Sequence, residues 1–291
     1  MRKQELIETI RKKRSFLCVG LDSDFEKIPG FLKSMDDPVF EFNKRIIDAT
    51  LPFAVAYKPN LAFYESLGSK GLESLEKTIQ YLNSQDEKVF TIADAKRGDI
   101  GNTASHYAKA FFEELQFDSL TVNPYMGMDS VSPYLKFKNK WVILLAITSN
   151  KGATDFQLFP QYSPGLLEML GIKTCSNEKK LFEEVVEKSV AFAGSDRLMF
   201  VVGATQTDRI KTIRELAPDY FFLVPGVGVQ GGSLEEVCEH GMNQECGLIV
   251  NASRSIIFAS QGKDFDKAAA SEAQSIQKTM ESLLRQKGIV S

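Results

Sequence analysis

The stretch Val89-Phe-Thr-Ile-Ala-Asp94-Ala-Lys-Arg-Gly-Asp99 changes character at Asp94. Residues suited to a buried strand give way at once to alternating charges. A short run that is almost continuously apolar or β-branched reads as a parallel strand covered on both faces. The charges then fall at the carboxyl end of that strand. The same pattern recurs at Phe16–Gly20, Phe53–Tyr57, Ser119–Val122, Trp141–Ile147, Leu198–Gly203, Tyr220–Val224 and Gly247–Val250.

Amphipathic segments separate these runs. Pro38–Ala49 places Val39, Phe42, Ile46 and Ile47 on one helical stripe, and Thr207–Leu216 does the same with Ile210, Ile213 and Leu216. Asn102–Leu115 aligns Ala104, Ala108, Phe111, Phe112 and Leu115, and a further helix is expected over Leu181–Ala193. Such stripes pack on a sheet. Eight strands alternating with helices predict a single-domain (β/α)8 TIM barrel over residues 1–291, in the α/β class. The rival is an open doubly wound sheet, which would place a glycine-rich turn after its first strand. Here the first strand instead runs into Leu21-Asp-Ser-Asp24. Residues 150–180 have weak periodicity and read as an insertion or lid after the fifth strand.

Composition narrows the class. The chain has 291 residues, 43% of them hydrophobic and 25% charged, with a formal charge of -3. A general nucleic-acid binder would carry a basic excess, so no nucleic-acid partner is expected. The cysteines, Cys18, Cys175, Cys238 and Cys246, show no CxxC spacing and read as reduced thiols. Only His106 and His240 are histidines, too few for a histidine-based metal centre. Met1-Arg-Lys-Gln-Glu-Leu6 lacks the apolar core of a signal peptide, and no apolar run reaches membrane-spanning length. A cytoplasmic protein without a membrane partner is expected.

The active site of such a barrel lies at the carboxyl ends of its strands. Those ends carry Asp22, Lys58, Asp94 followed by Lys96 and Asp99, Asn123, and Thr148-Ser149. Any one charge there reads as a helix cap. Several of both signs on one face point to a reaction centre. Asp94 and Lys96 are two apart, so an extended backbone sends both to one side. Lys58 lies one strand away. Alternating lysines and carboxylates offset one another's desolvation, and lysines so placed stay protonated as proton donors. At the other side of the mouth, Pro225-Gly-Val-Gly-Val-Gln-Gly-Gly232 is followed by Ser253-Arg254 at the next strand end. Backbone amides freed by glycine, with an arginine, suit a phosphate.

Asp94-Ala-Lys96-Arg-Gly-Asp99-Ile100-Gly-Asn-Thr103 resembles the Asp-x-Lys-x-x-Asp-Ile-x-x-Thr signature of the orotidine 5'-phosphate decarboxylases. The resemblance runs from Leu17-Cys-Val-Gly-Leu-Asp22 through Tyr57-Lys58-Pro-Asn60 and Thr148-Ser149 to Ser253-Arg254. The length and the segment Val201-Val-Gly-Ala-Thr205 resemble the longer bacterial branch. It implies cofactor-free loss of CO2 from orotidine 5'-monophosphate in pyrimidine biosynthesis, with Lys58, Asp94, Lys96 and Asp99 as catalytic residues and Lys96 protonating C6. It implies that Asp22 and Lys58 hold ribose hydroxyls and that Ser149 bonds the pyrimidine edge. Pro225 and Val227 would line the ring pocket, and Gln230 and Arg254 would grip the phosphate. Asp99, Ile100 and Thr103 would reach into a second subunit's site, hence a homodimer. Ser253 stands where relatives often carry glycine.

Two alternatives stay open. Related sugar-phosphate barrels share Asp-x-Lys-x-x-Asp but use Mg2+ and usually carry an acidic residue near the position of Lys58, where a lysine would repel the ion. A non-catalytic nucleotide-binding barrel is the reading from another class.

Overall fold

The computed structural model describes residues 1–160, 179–227 and 232–291. Its strands are β1 (Leu17–Leu21), β2 (Ala54–Pro59), β3 (Phe90–Arg97), β4 (Ser119–Val122), β5 (Trp141–Ile147), β6 (Leu198–Val202), β7 (Phe221–Pro225) and β8 (Leu248–Ala252). They form a closed barrel in sequence order. β8 returns to pair in parallel with β1, Val250 opposite Leu17. The expected barrel is therefore the observed one, and the open sheet is excluded by this closing pair. Every residue of β1, β2, β4, β6 and β8 is buried. Side chains fill the interior and helices cover the exterior, which explains why these strands read as unbroken apolar runs.

Local chemistry starts and stops the elements. The helix Pro38–Thr50 opens with proline at its first position, where the missing N–H costs nothing. The Asp37 carboxylate caps it by accepting from the Phe40 amide at 3.1 Å. Its buried face contains the predicted Val39, Phe42, Ile46 and Ile47. Thr207–Leu216 is helical over the residues expected. The segment after β3 differs from a single helix: Gly101–Lys109 is α-helical and Ala110–Glu114 continues as a π-helical turn. That turn brings Phe111 and Phe112 into the core.

The helices outside the expected set include two that flank the strand–helix repeat. Lys3–Lys13 buries Leu6, Ile7 and Ile10, and Phe265–Gln286 buries Phe265, Ala269, Ala273, Met280 and Leu284. The second packs along Pro38–Thr50, where Phe42 stacks on Phe265 and Phe258 at centroid distances of 5.3 and 5.8 Å.

Of the segment 150–180, read as an insertion or lid, the described parts are its two ends. Ala153–Phe156 is a short helix, and Pro160 bridges to Lys180 in antiparallel fashion. Residues 161–178, with Cys175 among them, lie outside the described residues. Cys18, Cys238 and Cys246 are buried free thiols. Among the described residues, no helix is long and apolar enough to cross a membrane.

Candidate active site

The carboxyl end of β3 gathers the charges. Asp94 Oδ2 accepts from Lys58 Nζ at 2.7 Å, and Asp94 Oδ1 accepts from Lys96 Nζ at 2.7 Å. Lys58 and Asp94 are nearly buried, with side chains 5% and 11% exposed, whereas Lys96 is 51% exposed. Burial raises the pKa of a carboxyl, but the two ammonium groups outweigh it and hold Asp94 down to about 2. Burial likewise works against the Lys58 charge. The Asp94 and Asp22 carboxylates more than offset it, and the lysine sits above its ordinary value. The result is a fixed anion between two fixed cations, one of them reaching the mouth.

The backbone that presents these groups is not a regular strand. Ala93 pairs with Leu120 and Arg97 with Val122, so four steps along β3 span two along β4. Lys96 takes a left-handed conformation, φ 46°. The extended backbone expected from the i, i+2 spacing is thus absent at Lys96. The two side chains meet because β3 bulges, which is a tertiary effect. Thr121 on β4 lies against the bulge. Its hydroxyl accepts from the Lys96 amide at 2.9 Å and stands 3.2 Å from Asp94 Oδ1. Sequence reading missed Thr121 because it looks like an ordinary β-branched strand residue.

Asp22 follows β1, and its Oδ1 is buried without a hydrogen-bond partner among the described residues. The turn that carries it is anchored from behind. Asn43 donates to the Tyr64 hydroxyl at 2.9 Å and to Thr78 Oγ1 at 3.0 Å. Tyr64 in turn donates to the Leu21 carbonyl at 3.1 Å, and Ser23 donates to Asn43 Oδ1 at 2.5 Å. On the neighbouring strand β8, buried Asn251 also has an Oδ1 without a partner among the described residues. A buried polar atom lacking a partner costs free energy, so both oxygens are groups that a polar ligand would satisfy. The sequence places Asn251 at the end of the eighth run, but no role was assigned to it.

Among the described residues, Asp99 forms no ion pair with Lys58 or Lys96, both of which pair with Asp94. Its carboxylate accepts from the neighbouring Ile100 amide at 2.8 Å. Ile100 is 53% exposed, and Thr103 is exposed on the helix Gly101–Lys109. Arg97 fastens this arm to the barrel. It pairs with Glu65, donates to the Ala95 carbonyl at 3.1 Å, and lies over the rings of Tyr107 and Phe111. Tyr107 on that helix is exposed, as are Tyr125, Met126 and Met128 after β4.

Ser149 follows β5. A β-carbon on Gly203 would stand 2.5 Å from its Oγ and 2.7 Å from its amide nitrogen, so only glycine lets the end of β6 approach so closely. Pro225 ends β7, and Val227 bridges to Gly232. These two residues bound the glycine-rich loop, whose Gln230 lies outside the described residues. Arg254 is exposed at the start of the helix Arg254–Ile257. The Ser253 hydroxyl donates to the Gly20 carbonyl at 3.1 Å and so ties β8 to β1.

The sequence matches the family model for the "Orotidine 5'-phosphate decarboxylase / HUMPS family" over residues 15–268. A Phocaeicola vulgatus orotidine 5'-phosphate decarboxylase is 54% identical over 286 residues, covering 98% of this chain and 100% of that protein. The Porphyromonas gingivalis enzyme of the same name is 53% identical over 290 residues, covering 100% of both. Among solved structures, Leishmania donovani OMP decarboxylase superposes with a TM-score of 0.75 at 32% identity, over 96% of this chain and 99% of that one. The barrel, the charge cluster at its mouth and these likenesses agree: the chain belongs to the orotidine 5'-phosphate decarboxylase / HUMPS family.

Proposed function

We propose that this chain decarboxylates orotidine 5'-monophosphate to UMP and CO2 in pyrimidine biosynthesis, with no cofactor. The observation that carries the reading is Asp94 held between the ammonium groups of Lys58 and Lys96 at 2.7 Å each. Names and likenesses of relatives point the same way.

The chemistry follows from where charge must go. The bond from C6 to the carboxylate breaks, CO2 leaves, and its electron pair stays on C6. No Schiff base or comparable sink accepts that pair, so fixed charge must stabilise it. The Lys96 ammonium does so and then donates a proton to C6. Lys96 is left neutral and regains its proton from solvent, which its half-exposed side chain can meet. Asp94 lies beside the departing carboxylate and keeps Lys96 aimed. Asp22 and Lys58 hold ribose hydroxyls, and the unpartnered Asp22 oxygen fits that role. Ser149 bonds the pyrimidine edge, Pro225 and Val227 line the ring, and Gln230 and Arg254 hold the phosphate. Binding energy from the phosphate end orders the reacting end.

Asp99, Ile100 and Thr103 serve the site of a second copy in a homodimer. Support comes from the lack of an ion pair between Asp99 and its own cluster among the described residues and from the exposure of Ile100 and Thr103 beside it. A cytoplasmic enzyme acting on a small nucleotide, without nucleic acid or membrane, accords with a net charge of -3.

The test is direct. Purified protein is mixed with orotidine 5'-monophosphate, and UMP and CO2 are followed; no turnover by a folded dimer overturns the proposal. Activity should persist in EDTA. Strong loss on metal removal would instead favour the sugar-phosphate branch, against which the pairing of Asp94 to two ammonium groups already argues.

A further inference from the structure

We propose that Thr121 is a positioning residue for this reaction: its hydroxyl replaces the strand-pairing acceptor that the β3 bulge removes, and so holds Lys96 in the left-handed conformation that aims its ammonium. The inference rests on the decarboxylase reading for its kinetic part and on geometry alone for its structural part.

In a regular parallel pair, each amide of β3 facing β4 would find a β4 carbonyl. The bulge takes up four residue steps on β3 against two on β4, so Lys96 falls out of that ladder. An amide left unpaired there would be costly. The Thr121 hydroxyl takes it, accepting from Lys96 N at 2.9 Å. A hydroxyl has one proton to give and two lone pairs with which to accept. Its proton has two acceptors in reach, Asp94 Oδ1 at 3.2 Å and the Ala93 carbonyl at 3.4 Å. The ionised and nearer oxygen is the stronger acceptor.

The same Asp94 Oδ1 accepts from Lys96 Nζ at 2.7 Å. Thr121 therefore closes a ring. It runs from the Lys96 amide through the Thr121 hydroxyl to Asp94 and back to the Lys96 ammonium. Both ends of Lys96 are fixed against one oxygen pair. Non-glycine residues rarely hold a positive φ without such support. Thr121 is only 1% exposed and touches the network from behind, so it acts through Lys96 and Asp94 and not on the substrate.

The test compares Thr121→Val, which keeps the volume and removes the hydroxyl, with Thr121→Ser, which keeps the hydroxyl. Wild-type turnover of orotidine 5'-monophosphate is measured first. Its absence would sink the functional reading while leaving the structural part to be decided by hydrogen exchange at the Lys96 amide. In Thr121→Val, kcat should fall by about tenfold or more, as expected for loss of a hydrogen bond to a charged group. KM should change by less than about threefold, because ground-state binding is not the target. Exchange at Lys96 should accelerate. Thr121→Ser should keep wild-type exchange and a kcat within about threefold of wild type. A folded valine variant with wild-type kcat and exchange overturns the proposal. So does a serine variant as impaired as valine, which would make the role one of side-chain packing. If valine does not fold, as judged by its melting curve, the comparison of Thr121→Ala with Thr121→Ser decides on the same readouts.

Discussion

The Lys96 ammonium donates to the Asp94 carboxylate at 2.7 Å from a residue whose backbone is left-handed, φ 46°. The other Asp94 oxygen is occupied by Lys58, also at 2.7 Å. One carboxylate thus fixes two cations of unequal exposure. The buried one is built into the barrel, and the exposed one is free to meet a substrate.

On the proposed mechanism, Lys96→Ala should abolish turnover, by more than about a thousandfold, because both charge stabilisation and the proton would be lost. Its stability should stay within about 1 kcal/mol of wild type, since the side chain is half exposed and its ion pair screened. UMP formation and a thermal melt check the two halves. Near-normal turnover would show that the proton comes from another group.

Asp99→Ala should be equally inactive, for a different reason. Mixed with Lys96→Ala under conditions of demonstrated subunit exchange, it should recover part of the activity. A mixed dimer would hold one site free of both substitutions. No recovery would mean that Asp99 serves its own subunit.

Asp94 sets a pH dependence of stability. Its pKa of about 2 lies below the ordinary 3.8, so the ionised form contributes stability above about pH 4 and loses it as the pH falls through 2. That contribution is about 2 kcal/mol at neutral pH. Lys58, shifted upward, contributes below its ordinary value and loses that contribution only in strong alkali. Asp94→Asn leaves Lys58 buried without its partner and should cost about 3 kcal/mol at pH 7. Urea titrations should show the gap to wild type narrowing by about 1 kcal/mol by pH 3. A gap independent of pH would exclude the ionised carboxylate as its source.

Gly203→Ala should damage the end of the barrel where Ser149 stands. Its new methyl would meet Ser149 at 2.5 to 2.7 Å, including backbone, which cannot yield cheaply. A loss of about 1–3 kcal/mol in stability is expected. kcat/KM should fall by more than the drop in folded fraction explains. Unchanged kinetics in the folded fraction would remove Ser149 from the list of substrate contacts.

Much of the molecule was legible in its residues because parallel strands buried on both faces leave an unmistakable apolar signature. All eight runs became strands, with ends moved by a few residues. The strand-end rule then located Asp22, Lys58, Asp94 and Lys96 on one face. The helix Phe265–Gln286 was not anticipated, although Phe265, Ala269, Ala273, Met280 and Leu284 line its buried face. The strand–helix alternation calls for a helix after the eighth strand, but no amphipathic stripe was read there.

By itself, the sequence determined the barrel, the face that bears the site and the identity of its charges, since burial patterns and residue chemistry are local properties. Only the tertiary structure decided how those charges meet. The i, i+2 spacing of Asp94 and Lys96 suggested an extended strand, whereas their contact depends on a bulge measured against β4. Thr121, Asn251 and Gly203 owe their importance to what stands opposite them in space. Hydrogen-bond partners and steric clearance across strands are relations between distant parts of the chain, and no single segment encodes them.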